Sequence, residues 1–439
     1  MKKAPNFNNN ISPKLRRIAE LASEAPELAF NTLAHHLTLE LLTEAFRRTR
    51  KDAAAGIDGR TAQMYANNLQ ENLQSLLDRV KSGSYRAPPI KRVYIPKGRG
   101  SKTRPIGIPT IEDKILQRGV VMILELIYEQ DFVDWSYGFR PGRSAHHALE
   151  ATWGALTKMC GGWVLEVDIK SFFDELDHAH LREFVRHRVR DGVLLRLIDK
   201  WICAKVLDKG SLKTSNEGTP QGGVISPLLA NIYLHEVFDK WFEDEVRPRL
   251  QRGAFAVRYA DDILLAFSSY EDACRVMRVL AKRFARFGLR LHPDKTPLVR
   301  FERPRPWRDE AKPETFNLLG FTHYWGKSRK GKWVVKRRTA RDRFARVIRH
   351  FHQWCRANRH IPVAKQYKIL SKKLEGHDAY YGITHNSEML EKLRHEVRRV
   401  WRYWLNRRSQ RARMPWKRFK LLLKRYPLPR GRVVHSAIR

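Results

Sequence analysis

Two short apolar runs flank a pair of acids in Phe255-Ala256-Val257-Arg258-Tyr259-Ala260-Asp261-Asp262-Ile263-Leu264-Leu265-Ala266-Phe267. Each run has strand length and is rich in aromatic and branched residues, so the stretch predicts a hairpin with Asp261 and Asp262 at its tip. Residues 163–168 (Trp-Val-Leu-Glu-Val-Asp) predict a second strand that ends on an acid. Residues 90–97 alternate, turn through Gly98-Arg99-Gly100-Ser101 and return over 104–109, which predicts a hairpin carrying Lys97, Arg99, Lys102 and Arg104. A further hairpin is expected over 316–325 with Gly320 near its bend, and a short strand and turn over 288–296. Helical spacing recurs over 37–50 (Leu37, Leu41, Ala45), and Thr61 predicts an N-cap for a helix through Asn68 to Leu77. Helices are also predicted over 111–128, 228–241 and 270–287, then around Phe344, Val347, Ile348 and Phe351 and around Val397, Val400, Trp401, Trp404 and Leu405. Residues 1–30 carry only weak patterning.

Composition narrows the function. The chain has 439 residues, enough for roughly two to four domains. Its 85 Lys and Arg against 46 Asp and Glu give a formal charge of +39. So basic a chain repels itself without a polyanionic partner, which points to nucleic acid ahead of a membrane surface. No apolar run reaches the ~18 residues of a membrane span, and the polar N-terminus has no signal-peptide core. Cys160, Cys203, Cys274 and Cys355 form no C-x-x-C pair, which argues against a zinc module or disulfide framework and fits a reducing cytosol with the cysteines as small core residues.

The acids carry the candidate chemistry. Adjacent carboxylates repel, and a tight hairpin turn prefers Asn-Gly or Asp-Gly, so a merely solvated turn accounts for Asp261-Asp262 poorly. A divalent metal accounts for it better, because hard Mg²⁺ takes oxygen ligands. Asp168 ends its strand where sheet enzymes place chemistry, against the alternative that it merely caps the next segment. Asp174 and Asp177 are expected to be caps or surface acids, and His178 and His180 ordinary polar residues. The Gly/Pro loop 218–227 lets backbone approach a ligand, and Gln221 could donate to a base or phosphate. Residues 135–144, with Trp135, Tyr137, Phe139, Arg140 and Arg143, could grip a nucleic-acid strand or pack on a core. Beyond Gly326, cations interleave with aromatics at helical spacing, which favours a nucleic-acid surface.

In order, these stretches resemble the reverse transcriptase–maturases encoded by bacterial group II introns, over about residues 35 to 435. Ala54-Ala55-Gly56-Ile57-Asp58-Gly59 resembles the family's N-terminal extension motif. Ile95-Pro96-Lys97 through residues 104–110 resembles the fingers hairpin, and Ser136-Tyr137-Gly138-Phe139-Arg140-Pro141 follows as expected. Asp168-Ile169-Lys170-Ser171-Phe172-Phe173 resembles polymerase motif A. Residues 218–223 with 226–231 resemble motif B, and Tyr259-Ala260-Asp261-Asp262 resembles motif C. The resemblance implies an α+β right-hand polymerase with an antiparallel palm sheet, then an α-helical thumb (maturase X) and a small basic C-terminal domain. The implied segments are an N-terminal extension (1–86), fingers and palm (87–326), thumb (327–382) and basic DNA-binding tail (383–439).

By the same resemblance Asp168, Asp261 and Asp262 are the catalytic acids. With the Ile169 carbonyl they would hold two Mg²⁺ ions, for which Mn²⁺ could substitute. Lys97 and Arg104 would meet the incoming triphosphate, Phe173 would stack under the sugar and exclude a 2′-hydroxyl, Gln221 would help hold the nucleotide, and Lys295 would match a motif D proton donor. Residues 316–325 would be the primer grip. The fingers loop between Lys97 and Arg104 is about one residue longer than in many members. No Cys pairs or His-Asn-His pattern follow the thumb, so the expected form is the compact, group IIC-like lineage without an endonuclease domain.

The implied function is RNA-directed DNA synthesis, with binding of intron RNA to assist splicing and retrohoming by target-primed reverse transcription. The implied partners are intron or template RNA, a DNA primer or target, and deoxynucleoside triphosphates, with no membrane; a homodimer is compatible. The implied location is the bacterial cytoplasm, with the nucleoid or a ribonucleoprotein. Two alternatives are a free-standing enzyme serving host DNA repair or phage defence, and an RNA-binding splicing factor without polymerase activity. The second predicts erosion of the acids, and all three acids are present. If binding rests on phosphate contacts, affinity for structured RNA falls steeply between low and moderate salt. A filter-binding titration across that range that found a flat affinity would contradict this electrostatic reading.

Overall fold

The computed structural model describes residues 13–96, 103–213, 218, 222–292, 296–304, 313–411 and 413–436. In chain order the first elements are α1 (Pro13–Glu24), α2 (Leu39–Arg48), α3 (Ala62–Ala66), α4 (Leu69–Lys81), β1 (Ile90–Pro96), β2 (Thr103–Ile108) and α5 (Ile111–Asp131). Next come α6 (Ala145–Lys158), β3 (Trp163–Val167), α7 (His178–Arg188), α8 (Gly192–Ile202), β4 (Val206–Asp208), β5 (Ser211–Lys213) and α9 (Ser226–Leu234). The hairpin β6 (Ala254–Tyr259) and β7 (Asp262–Phe267) leads to α10 (Tyr270–Arg286), β8 (Leu298–Arg300), β9 (Phe316–Leu318), β10 (Phe321–Lys327) and β11 (Trp333–Thr339). Four helices follow: α11 (Arg341–Ala357), α12 (Val363–Tyr381), α13 (Ser387–Leu405) and α14 (Trp416–Arg425). The chain divides into two compact units, Met1–Ala148 with Leu165–Leu298, and Leu149–Val164 with Val299–Arg439.

The first unit is α+β, as expected. Its sheet order β2-β1-β4-β5 is the β1–β2 hairpin extended by a parallel β1–β4 contact and the small β4–β5 hairpin. In its other sheet β6, β7 and β3 lie in that order. Helix α5, which packs against α1 and α2, is buried along most of its length, which marks an interior helix rather than an amphipathic surface one. Thr110 caps its start by accepting the Asp113 N–H. Asp113 in turn accepts from the Tyr85 hydroxyl and, at 3.1 Å, from Trp201 Nε1. Burial pushes its carboxyl up to about 6 despite these donors.

Several expectations need correcting. Weak patterning before residue 30 hides α1, which long-range contacts hold. The buried Arg188 guanidinium donates to the Ala22, Ala25, Pro26 and Leu28 carbonyls at the end of that helix, and its Nε lies 3.0 Å from Asp131. A cation there satisfies carbonyls that the helix leaves unpaired. The helix expected from Thr61 to Leu77 breaks at Asn67-Asn68, where the Asn72 side chain takes up the Tyr65 carbonyl. The helix expected to end near 241 passes into π-helical turns at His235–Asp239 and Phe242–Val246. Cys355 is a core residue, whereas Cys160 and Cys203 are exposed; none of the four is in a disulfide.

In the second unit the strands run past position 326: β9, β10 and β11 form an antiparallel sheet before α11 starts at Arg341. The helices then share one core of Phe351, Leu370, Leu374, Leu393, Val397, Trp401 and Phe419 among others. Trp401 reaches that core with its indole N–H satisfied by Gln366 at 2.8 Å.

Asp191 shows how the N-terminal elements are tied down. One carboxylate oxygen accepts Val193 and Leu194 N–H at the start of α8, and the other accepts Leu33 and Ala34 N–H at 2.6 and 2.8 Å. Burial acts to raise its pKa, and the four donors more than cancel this, holding it below the ordinary value. A lowered folded pKa contributes stability above the unfolded pKa of about 4, and that contribution fades as pH falls through the folded value. Asp191→Asn is therefore expected to cost about 1–3 kcal/mol at pH 7, with the gap to wild type narrowing below about pH 4. Urea unfolding at both pH values checks it; a pH-independent gap would refute the ionic part.

Candidate active site

The turn between β6 and β7 is tighter than expected. Tyr259 pairs with Asp262, so the loop is Ala260-Asp261 alone, and Asp262 opens β7 instead of sitting at the tip. A two-residue hairpin needs positive φ at its first central position, and Ala260 supplies it at 58°. For a residue with a Cβ that conformation costs about 1–2 kcal/mol. Asp261 is half-buried and Asp262 exposed.

Asp168 directly follows β3, the strand next to β7, and is half-buried. Its carbonyl accepts His292 N–H, and Lys170 N–H donates to Arg290, each at 2.8 Å. These bonds make an antiparallel bridge between Ile169 and Leu291 that does not engage the Ile169 carbonyl. The chain then turns through Ser171 at a φ of 47° into a 3₁₀ turn, Phe172–Asp174, where half-buried Phe173 meets Phe172 edge-on at 5.3 Å. Asp177 caps α7, as expected of a capping acid. His178 is buried, with Nε2 2.6 Å from the Gly218 carbonyl.

Backbone-to-backbone approach joins these segments. Gly138 lies so close to the turn that a Cβ on it would stand 2.1 Å from the Ala260 nitrogen. Gly218, at a φ of 82°, would place one 2.8 Å from the Phe173 carbonyl. Any side chain at either position forces a shift of main chain, not of a flexible group.

Beneath the turn lies a polar network that sequence reasoning did not assign. Arg258, on β6, is fully buried. Its guanidinium forks onto both oxygens of Asp239, with Nε 2.8 Å from Oδ1. Its Nη1 donates to Asn231 Oδ1 at 2.8 Å and to the Ala260 carbonyl at 3.3 Å. Asn231 Nδ2 in turn donates to the Gly138 carbonyl at 2.8 Å. The Arg258 backbone pairs with Trp135 and Tyr137. Burial acts to raise the Asp239 pKa, but Arg258 and His235 outweigh it and the carboxyl stays below its usual range. A charged hydrogen bond is worth about 1.5–3 kcal/mol, enough to hold Ala260 in its costly conformation. The one available signal was a charge inside an otherwise apolar strand.

Arg104 is exposed on β2, opposite Ile95. Lys97, Gln221 and Lys295 lie outside the described residues. Among the described residues no three His, Cys, Asp or Glu side chains are grouped to hold an ion by themselves. Asp261 and Asp262 at the turn, with Asp168 after the strand beside β7, are carboxylates of the kind hard Mg²⁺ takes as oxygen donors. No helix among the described residues is long and apolar enough to cross a membrane.

Residues 95–323 match the family of reverse transcriptases (RNA-dependent DNA polymerases). Protein YkfC of Escherichia coli strain K12 is 37% identical over 325 residues, covering 66% of this chain and 84% of that protein. Group II intron-encoded protein LtrA of Lactococcus lactis subsp. cremoris is 37% identical over 226 residues, or 51% of this chain and 37% of that protein. Nuclear intron maturase 3, mitochondrial, of Arabidopsis thaliana is 27% identical over 187 residues, 37% of this chain and 25% of that protein. The chain thus spans little more than a third of LtrA.

Gly138→Ala is expected to destabilise the protein by more than about 2 kcal/mol, because the new methyl meets main chain. Gly154→Ala, within α6 and with nothing within 4 Å of the added carbon, is expected to stabilise by about 0.5–1 kcal/mol. Urea unfolding of both variants checks the contrast; equal effects would contradict the contact argument.

Proposed function

Because the chain belongs to the reverse transcriptase (RNA-dependent DNA polymerase) family, we propose that Asp168, Asp261 and Asp262 are its catalytic acids in template-directed DNA synthesis. Enzymes of this family use divalent metal ions and act on nucleic acid. Here the three carboxylates and the Ile169 carbonyl would hold two Mg²⁺ ions, replaceable by Mn²⁺. When bound, the metal neutralises charge on the triphosphate and lowers the pKa of the primer hydroxyl. The chain's own part is placement. Asp168 directly follows β3, Asp261 closes a two-residue turn and Asp262 opens β7, so each is anchored by an adjoining strand, which fixes its direction more tightly than a long loop could.

Lys97 and Arg104 neutralise the incoming triphosphate. Phe173 packs under the sugar and excludes a 2′-hydroxyl, which selects deoxynucleotides by shape. Gln221 steadies the nucleotide, and Lys295 is the candidate proton donor to the departing pyrophosphate. Residues 1–86 form the N-terminal extension, 87–326 the fingers and palm, 327–382 the thumb and 383–439 the basic DNA-binding tail. The likeness to LtrA and to a nuclear intron maturase supports a second role, binding intron RNA to assist splicing and retrohoming.

The observation that carries the catalytic reading is the placement of Asp261 in a strained turn and of Asp262 at the start of β7, the strand beside the one that Asp168 follows. Asp261→Ala and Asp262→Ala are each expected to slow primer extension on an RNA template by about 10³-fold, equivalent to about 4 kcal/mol. Affinity for the same RNA should change less than about twofold, because these acids contribute nothing to phosphate attraction. Either variant extending the primer at the wild-type rate would remove the assignment.

A further inference from the structure

The proposed chemistry does not use the fully buried Arg258, yet it touches every segment that shapes the acid turn. A buried ion pair is a weak source of stability, since apolar residues of similar volume commonly serve as well or better. Direction is what the guanidinium supplies. Its planar fork holds Asp239 through two nitrogens and still has Nη1 left to donate to Asn231 and to the Ala260 carbonyl. A lysine carries the same charge but cannot make this set of bonds. Asp239 reaches the fork from the π-helical turn His235–Asp239, a departure from regular helix of the kind found at functional sites. Asn231 then passes the constraint to Gly138, against which the Ala260 nitrogen rests.

We propose that Arg258 is a positioning residue for DNA synthesis: through Ala260, Asn231 and Asp239 it sets where the Asp261 carboxylate points, coupling the acid turn to α9 and to the 135–138 segment. The proposal rests on the reading of Asp168, Asp261 and Asp262 as the polymerase acids. A merely structural Arg258 would affect melting temperature and activity together. A positioning Arg258 affects kcat and the divalent-ion requirement while leaving substrate binding alone.

The full chain is assayed for primer extension on a primed RNA template, with Tm, primer–template Kd, deoxynucleotide KM and the half-saturating Mg²⁺ concentration measured alongside. Arg258→Lys is expected to lower kcat by about tenfold to a hundredfold, the scale of a sub-ångström to one-ångström misplacement. KM and Kd should stay within about twofold, and more Mg²⁺ should be needed. Full activity in Arg258→Lys would mean that charge alone suffices and would overturn the proposal. The double variant Arg258→Met with Asp239→Leu removes the pair without stranding a charge, so it should melt near wild type and show the same kcat-selective loss. A double variant with wild-type Tm and wild-type kcat would also overturn it. Should the double variant not fold, Asn231→Ala leaves the ion pair intact and must still show a kcat loss of about threefold or more at unchanged KM; wild-type kcat there sinks the coupling. Wild type and Asp261→Ala run in the same assay: an inactive wild type or an active Asp261→Ala would indict the polymerase reading, not the role of Arg258.

Discussion

A guanidinium with no access to water governs the geometry of this fold's acid turn. Desolvating Arg258 is costly, and only a set of well-placed acceptors makes it tolerable. Asp239, Asn231 and the Ala260 carbonyl supply that set. The arrangement is therefore close to all-or-nothing: shifting any one acceptor exposes a buried charge to an unmet demand. The strain in the Ala260 turn follows from this. A left-handed alanine would relax in isolation, but relaxing here would rotate its carbonyl away from the buried cation.

The same constraint explains why the segments around the turn meet through main chain. Side-chain contacts tolerate small sliding, because rotamers adjust. Gly138 against Ala260 and Gly218 against Phe173 leave no adjustable atoms between the backbones. The 135–138 segment is also hydrogen-bonded along Arg258, so the turn and that segment are tied together through main chain. Preorganisation of this kind suits a reaction in which the protein's main contribution is to aim charged groups.

Much of this was legible in the sequence wherever local pattern and tertiary structure agree. The β6–β7 hairpin, the β1–β2 hairpin and α5, α9 and α10 follow from alternation, helical spacing and caps. The misses share a cause, a partner distant in sequence. Helix α1 depends on Arg188, more than 160 residues away along the chain. Strand β11 was hidden because its buried positions include Arg337 and Thr339, so the inward face does not read as apolar. The Arg258 network joins positions 231, 239 and 258 across a π-helical stretch whose register no helical period anticipates. At the site, the acids were visible as chemistry out of place in a turn, whereas the residues that hold them looked like ordinary core.

Charge is distributed as unevenly as the polar contacts. Near the N-terminus the basic cluster is partly neutralised locally, with Arg47 and Arg48 on Glu44 and Arg50 on Asp52. After Glu396 the sequence contains no Asp or Glu at all, although Lys and Arg continue to Arg439. Carboxylates of that segment cannot screen these cations, and several rest on aromatic faces instead: Arg402 over Trp416 at 4.2 Å and Arg407 over Tyr403 at 4.5 Å. An aromatic face holds the stem of a cation without cancelling its field. A surface built this way keeps its positive potential for a polyanion, whereas the paired clusters near the N-terminus have spent theirs on local structure. The net charge of the chain is thus a poor guide to where nucleic acid is drawn. Where cations run without a carboxylate in the same stretch is a better one, and by sequence that is the segment after Glu396.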